Sequence, residues 1–162
     1  PIVPPGEYVV KSRIDNRYLL RKSGATALRA MKMAQSATLS NDFIWSVDFL
    51  GLRSKAPSSI IRSKKDQTYL TSQLKSNDVT MSVVARSRTD TSAFNQWELI
   101  CPGTDSLCLM IASKYVKGGQ KYFLDFQNGI PRASSERLNL TRLIDTTSTH
   151  HLWMLEKIEK ED

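Results

Sequence analysis

The sequence predicts an all-β domain of three similar units, on three observations: a repeated hairpin, a recurring tryptophan, and a composition that fits one globular core. Gly6-Glu7-Tyr8-Val9-Val10-Lys11-Ser12-Arg13 is echoed by Ser59-Ile60-Ile61-Arg62-Ser63-Lys64 and by Leu109-Met110-Ile111-Ala112-Ser113-Lys114, with Ser12, Ser63 and Ser113 spaced 51 and 50 residues apart. Trp45, Trp97 and Trp153 recur at spacings of 52 and 56. Such self-similarity marks a repeat architecture. The 162 residues, 40% hydrophobic and 24% charged with 7 Gly and 6 Pro, suit a single domain and exclude collagen-like and disordered classes. No run of ~18 apolar residues is present, so no membrane span is expected.

Each unit opens with a hairpin. In the first, Gly6-Glu7-Tyr8-Val9-Val10 leads through the polar turn Ile14-Asp15-Asn16 to Arg17-Tyr18-Leu19-Leu20. A short strand, Ala27-Leu28-Arg29-Ala30-Met31, comes next, and Trp45-Ser46-Val47-Asp48-Phe49 closes the unit. Its alternation puts Trp45, Val47 and Phe49 on one face and Ser46 and Asp48 on the other, as a half-buried antiparallel strand requires. The second unit repeats the order with the turn Lys65-Asp66-Gln67, then Thr68-Tyr69-Leu70-Thr71, Val79-Thr80-Met81-Ser82-Val83 and Trp97-Glu98-Leu99-Ile100. The third inserts Val116-Lys117-Gly118-Gly119-Gln120 before Lys121-Tyr122-Phe123-Leu124. It continues with Leu138-Asn139-Leu140-Thr141-Arg142-Leu143 and ends on Trp153-Met154-Leu155-Glu156-Lys157-Ile158.

Four strands in each of three units give twelve, the arithmetic of a β-trefoil: a six-stranded barrel capped by three hairpins. A propeller also repeats four-stranded units, but typically needs ~4–8 of them. The expected organisation is one domain, 1–162, with repeats at roughly 5–53, 54–105 and 106–162. The three tryptophans are then core residues.

The 23 Lys and Arg outnumber 16 Asp and Glu, a formal charge of +7. Residues 1–32 hold seven cations, Lys11, Arg13, Arg17, Arg21, Lys22, Arg29 and Lys32, against Glu7 and Asp15. Because apolar residues separate them, they are expected on the outer, solvated faces of strands rather than in a nucleic-acid footprint. No basic and apolar leader is visible at Pro1-Ile2-Val3-Pro4-Pro5-Gly6, so cytoplasmic residence is the expectation. Cys101 and Cys108 are too few for a disulfide framework; they flank the turn Pro102-Gly103-Thr104-Asp105 and are expected as free thiols in a reducing compartment. Asn139-Leu140-Thr141 fits a glycosylation sequon that is expected to be unused.

Enzyme and cofactor motifs are missing from the sequence pattern. Lys117-Gly118-Gly119-Gln120 reads as a hairpin turn rather than a phosphate cradle. His150 and His151 are adjacent, and in a strand they would point to opposite faces, so no metal site is expected. Neither cysteine has a neighbouring base that sequence can place. A non-enzymatic protein with no cofactor is predicted.

The opening Pro5-Gly6-Glu7-Tyr8-Val9-Val10 and the closing Leu152-Trp153-Met154-Leu155-Glu156-Lys157-Ile158 make the chain similar to the ricin-B-type β-trefoil lectins. It also resembles the small fungal trefoil proteins, which include fruiting-body lectins and mycocypin-type protease inhibitors. That resemblance covers the whole chain and implies carbohydrate binding through surface loops, as in a fungal defence lectin. Its alternatives are protease inhibition and fascin-like filament or nucleic-acid binding. The partners it implies are glycans, glycoproteins or a protease, and a homodimer is one assembly compatible with it. The lectins' Gln two residues before each unit's tryptophan is replaced here by Phe43, Asn95 and His151.

A glycan site needs planar polar side chains to orient hydroxyls and an aromatic surface for the sugar's apolar side. The candidates are Asp15 and Asn16, Asp66 and Gln67, and, with most weight, Tyr122, Asp125, Phe126, Gln127 and Asn128. The same polar residues also suit turn geometry alone. A protease inhibitor needs an extended loop whose rigidity limits the entropy lost on binding. Two segments have the length and charge, Ser54-Lys55-Ala56-Pro57-Ser58 and the one carrying Arg86 and Arg88.

Overall fold

The computed structural model describes residues 3–22, 24–33, 39–50, 58–76, 80–87, 93–101, 109–127, 129–142 and 149–158. Four strands belong to each predicted unit: β1 (Gly6–Ser12), β2 (Tyr18–Leu20), β3 (Arg29–Met31) and β4 (Ile44–Leu50); β5 (Ser58–Ser63), β6 (Tyr69–Gln73), β7 (Thr80–Arg86) and β8 (Trp97–Ile100); β9 (Met110–Ser113), β10 (Tyr122–Phe126), β11 (Ser135–Arg142) and β12 (Trp153–Lys157).

The first and fourth strands of the units close a six-stranded barrel. β12 pairs with β1, β1 with β4, β4 with β5, β5 with β8 and β8 with β9. A bridge between Leu109 and Trp153 completes the ring. Closure leaves the barrel no exposed edge strand. The second and third strands form the cap as hairpins β2–β3, β6–β7 and β10–β11, with β11 also meeting β3 and β7. This is the predicted β-trefoil.

The repeated residues explain the repeated structure. Trp45, Trp97 and Trp153 are fully buried, and their indole N–H groups donate to the carbonyls of Leu19, Leu70 and Leu124 at 3.2, 2.8 and 3.1 Å. Each tryptophan thus ties a barrel strand to the second strand of its own unit, and a buried indole keeps its hydrogen bond. Ser12, Ser63 and Ser113 are buried where the hairpins turn, and their hydroxyls accept backbone N–H groups from Arg17, Lys65 and Tyr115 at 2.9, 3.2 and 3.1 Å. Asn16 and Gln67 occupy left-handed backbone at φ 59° and 61°, matching one another in the first two turns.

One expectation about charge changes. Arg17 and Arg21 are not on an outer face: they are 1% and 7% exposed. Arg17 Nε bonds Asp15 at 2.7 Å, and Arg21 bonds Asp66 at 3.0 Å. Buried charges persist when paired, and here the partners sit in the turn of the same unit or the next. Lys11 is likewise paired, with Glu156 at 2.8 Å. Part of the N-terminal positive charge is therefore neutralised internally. Asn139 of the sequon is buried within β11.

Short 3-10 turns at Asn41–Phe43 and Ala93–Asn95, which the sequence reading does not include, precede the closing strands of the first two units. They bury Phe43 and Asn95, and His151 is buried at the matching place in the third unit. Of the other expectations, the segment 54–57, Arg88, Cys108, the turn from Pro102 to Asp105, and Asn128 lie outside the described residues.

Candidate functional site

The antiparallel registers place Lys11 opposite Tyr18 in the first hairpin, Arg62 opposite Tyr69 in the second and Ala112 opposite Phe123 in the third. In the first two units a cation therefore lies against an aromatic ring. Lys11 Nζ is 5.2 Å from the centre of the Tyr18 ring, and the Arg62 guanidinium is 5.6 Å from that of Tyr69. Contacts of this kind are worth ~0.5–1 kcal/mol at exposed sites. In the third unit both positions are buried, and the pair is purely apolar.

The first hairpin borders a cleft of about 620 Å³ whose far wall is β12. Tyr18 and Lys11 line it, with Asp15 and Asn16 from the turn, Lys32 from beyond β3, and Glu156 from β12. Tyr18 is half-buried, steadied by the edge of Phe43 at 6.0 Å. Partial burial works against the Lys11 charge, but Glu156 outweighs it and holds the ammonium above its ordinary pKa. Asp15 is occupied, accepting from the Ser12 hydroxyl at 2.9 Å and from Arg17 Nε at 2.7 Å, so it acts as a brace for the turn. Asn16 is exposed at the cleft's rim. Its amide can donate and accept at once.

In the second unit Asp66 is also a brace. Its carboxylate accepts from the Thr68 N–H at 3.2 Å and hydroxyl at 2.7 Å and meets Arg21. Burial raises its pKa, but the Thr68 hydrogen bonds and the Arg21 charge together bring it below the ordinary value. Gln67 is exposed, and its amide donates only a 3.4 Å bond to the Lys64 carbonyl.

The third-unit constellation is corrected by burial. All five residues of β10 are buried, so Tyr122 and Phe126 belong to the core, with Lys117 Nζ over the Tyr122 ring at 5.7 Å. Phe126 stacks on Trp153 at 5.7 Å. Asp125 is buried too, and of the described residues of this constellation only Gln127 is exposed. β10 is paired on both sides, with β9 and with β11.

The histidines also depart from expectation. They lie on a turn before β12, not in a strand, and their rings stack on one side at 4.4 Å with both facing Asp125. Arg86 ends β7 opposite Tyr69 and so starts from a paired strand. It lines a second cleft, of about 410 Å³, with Gln73, Leu74, Phe94 and Asn95.

Of the residues lining this cleft, the sequence singles out Asp15 and Asn16 and not their neighbours Lys11, Tyr18, Lys32 and Glu156. One signal was available: a cation seven residues before a tyrosine, at Lys11 and Tyr18 and again at Arg62 and Tyr69. Glu156 carries no such signal, because only barrel closure brings β12 beside β1.

No family model matches the sequence, and no curated protein is similar enough to match it. Solved structures do. A Macrolepiota procera ricin B-like lectin, solved in complex with lactose, superposes with a TM-score of 0.72 at 14% identity, covering 96% of this chain and 99% of that one. The Rhizoctonia solani agglutinin gives 0.67 at 14% identity, covering 96% and 97%. The designed three-fold symmetric protein ThreeFoil gives 0.66 at 14% identity, covering 94% and 99%. With the barrel, the three-hairpin cap and the three indole bonds, these likenesses identify the fold of this chain as a β-trefoil.

Proposed function

We propose that this protein is a non-enzymatic carbohydrate-binding protein that takes a glycan in the cleft between the first hairpin and β12. The observation that carries the reading is the meeting of Tyr18, Lys11 and Asn16 at one concave surface. An aromatic surface beside an amide and a charged group is the combination a sugar needs: apolar contact for affinity, and directed donors and acceptors for orientation. The likeness to a lectin solved with lactose supports the same reading. Asp15 keeps the turn in shape and is not itself a ligand contact. The second hairpin, with Arg62, Tyr69 and Gln67, is the candidate for a second site.

A glycan array probed with the full chain at physiological salt tests this. A focused set of related glycans, competed by free sugar and lost on Tyr18→Ala or Asn16→Ala, is the expected result. A blank array from folded protein would overturn it. The next experiment would then be a protease panel with Arg86→Ala as the control.

A further inference from the structure

We propose that Asp125, His150 and His151 form a zinc-binding site that pins the turn before β12 to strand β10. The three side chains offer one carboxylate oxygen and two imidazole nitrogens, all within 4.8 Å of one another. His150 Nδ1 lies 2.7 Å from Asp125 Oδ1, and His151 Nε2 lies 3.8 Å from Oδ2.

Charge supplies the first reason. Asp125 is 4% exposed, and among the described residues its only basic partners are these two histidines. A carboxylate carried inside a protein needs a cation beside it. Two imidazoles stacked at 4.4 Å repel each other if both are protonated, whereas one dication between them and the carboxylate is attracted to all three.

The donor set supplies the second. Two imidazoles and a carboxylate suit zinc, which takes such ligands at ~2.0–2.2 Å in a tetrahedron, often with water in the fourth place. Tetrahedral ligands at those lengths stand roughly 3.3 Å apart. The His150 to Asp125 contact must therefore open, and the longest separation must close. His150 has the room: it sits on a turn with its side chain 25% exposed, which also gives the ion its entry.

A supporting shell is already in place. The Thr141 hydroxyl donates to Asp125 Oδ2 at 2.9 Å, and the Phe126 N–H donates to Oδ1 at 2.7 Å. Outer-shell bonds of this kind fix a ligand's orientation, and losing one typically costs ~10–100-fold in metal affinity. Thr141 is on β11 and Asp125 on β10, so the site would join the third cap hairpin to the turn that starts the last barrel strand.

The chain's two histidines are both in this cluster, which makes the test clean. Metal-depleted full-length protein is titrated with Zn2+ by calorimetry, while the ring signals of the two histidines are followed by NMR. One Zn2+ per chain, with both imidazoles perturbed, is expected. His150→Gln, on a partly exposed turn, should keep the fold and weaken binding at least tenfold, and Thr141→Val should weaken it by the outer-shell factor above. No uptake, uptake with both imidazole signals unmoved, or uptake unchanged in a folded His150→Gln protein would each overturn the proposal. The wild-type NMR result decides even where a variant fails to fold.

Discussion

Glu136 is where the fold's acid sensitivity is most directly readable. It lies in the part of β11 that pairs with β3, opposite Ala30, and one of its oxygens accepts the backbone N–H groups of Arg132 and Ala133 at 2.9 and 2.7 Å. Arg17 donates to the Ala133 carbonyl, and Arg29 holds Ser135 at 2.7 Å through its side chain and 3.0 Å through its backbone. The two backbone hydrogen bonds, helped by Arg17 and Arg29, hold the Glu136 carboxyl below its ordinary pKa of 4.5. Glu136→Gln keeps an acceptor of the same shape but removes the charge. Charge-assisted hydrogen bonds are worth ~1.5–3 kcal/mol against ~0.5–1.5 for neutral ones, so the variant should lose about 1–3 kcal/mol at pH 7. Because the folded pKa is depressed, this stabilisation is present above the ordinary value and disappears as pH falls through the folded one. Urea unfolding of both proteins, repeated at falling pH, measures the gap. Asp66, also depressed, is present in both and cancels in the difference. Equal stability at pH 7, or a gap that does not close in acid, would refute the argument.

Further substitutions probe the rest of the frame by the same unfolding assay. Arg17→Met leaves the partly exposed Asp15 without its 2.7 Å partner and removes the donor to Ala133, and a loss of about 1–3 kcal/mol is expected, as for lost charge-assisted hydrogen bonds. Trp97→Phe keeps an aromatic ring but strands the Leu70 carbonyl, which now accepts at 2.8 Å; about 1–3 kcal/mol should go, with Trp45→Phe and Trp153→Phe alike if the units are equivalent. Gln67→Gly runs the other way. It relieves a left-handed backbone at φ 61° that costs an L-residue about 1–2 kcal/mol, so stability should hold or rise despite the unfolded-state entropy of glycine.

How much could be read in advance follows from which interactions are local. Strand alternation, the hairpin turns and the recurring Trp and Ser are short-range patterns, and all twelve strands follow from them. The burial of Arg17 and Arg21 was not legible. A strand cation reads as solvated unless its acceptor is known, and Ala133, which accepts from Arg17, is 116 residues away. Asp125 misled for a related reason: an Asp near Gln, Asn and Gly resembles a turn, and only the cap's packing shows that it lies within a strand buried throughout. His150 and His151 misled through the assumption of strand geometry, whereas a turn lets neighbouring side chains fall on one side. Asn16 was legible as a rim residue, but its cleft was not, because the opposite wall comes from the far end of the chain.

Burial in the third hairpin limits valency under the lectin reading. A trefoil's core positions must repeat, since the barrel and cap are shared by all three units, but the outward pair on each opening hairpin is under no such demand. Here it diverges: Lys11 with Tyr18, Arg62 with Tyr69, then Ala112 with Phe123. Ala112 and Phe123 are 0% and 7% exposed. A lysine at Ala112 would put a charge at a buried position whose cross-strand neighbour, Glu98, is already paired with Lys121 at 2.8 Å, so one substitution does not restore the third platform. Two hairpin sites are therefore the ceiling. A calorimetric titration with a glycan identified on the array should give no more than two equivalents per chain, falling by one on Tyr18→Ala and by one on Tyr69→Ala. A third equivalent surviving both substitutions would mean that recognition lies outside the hairpin pairs.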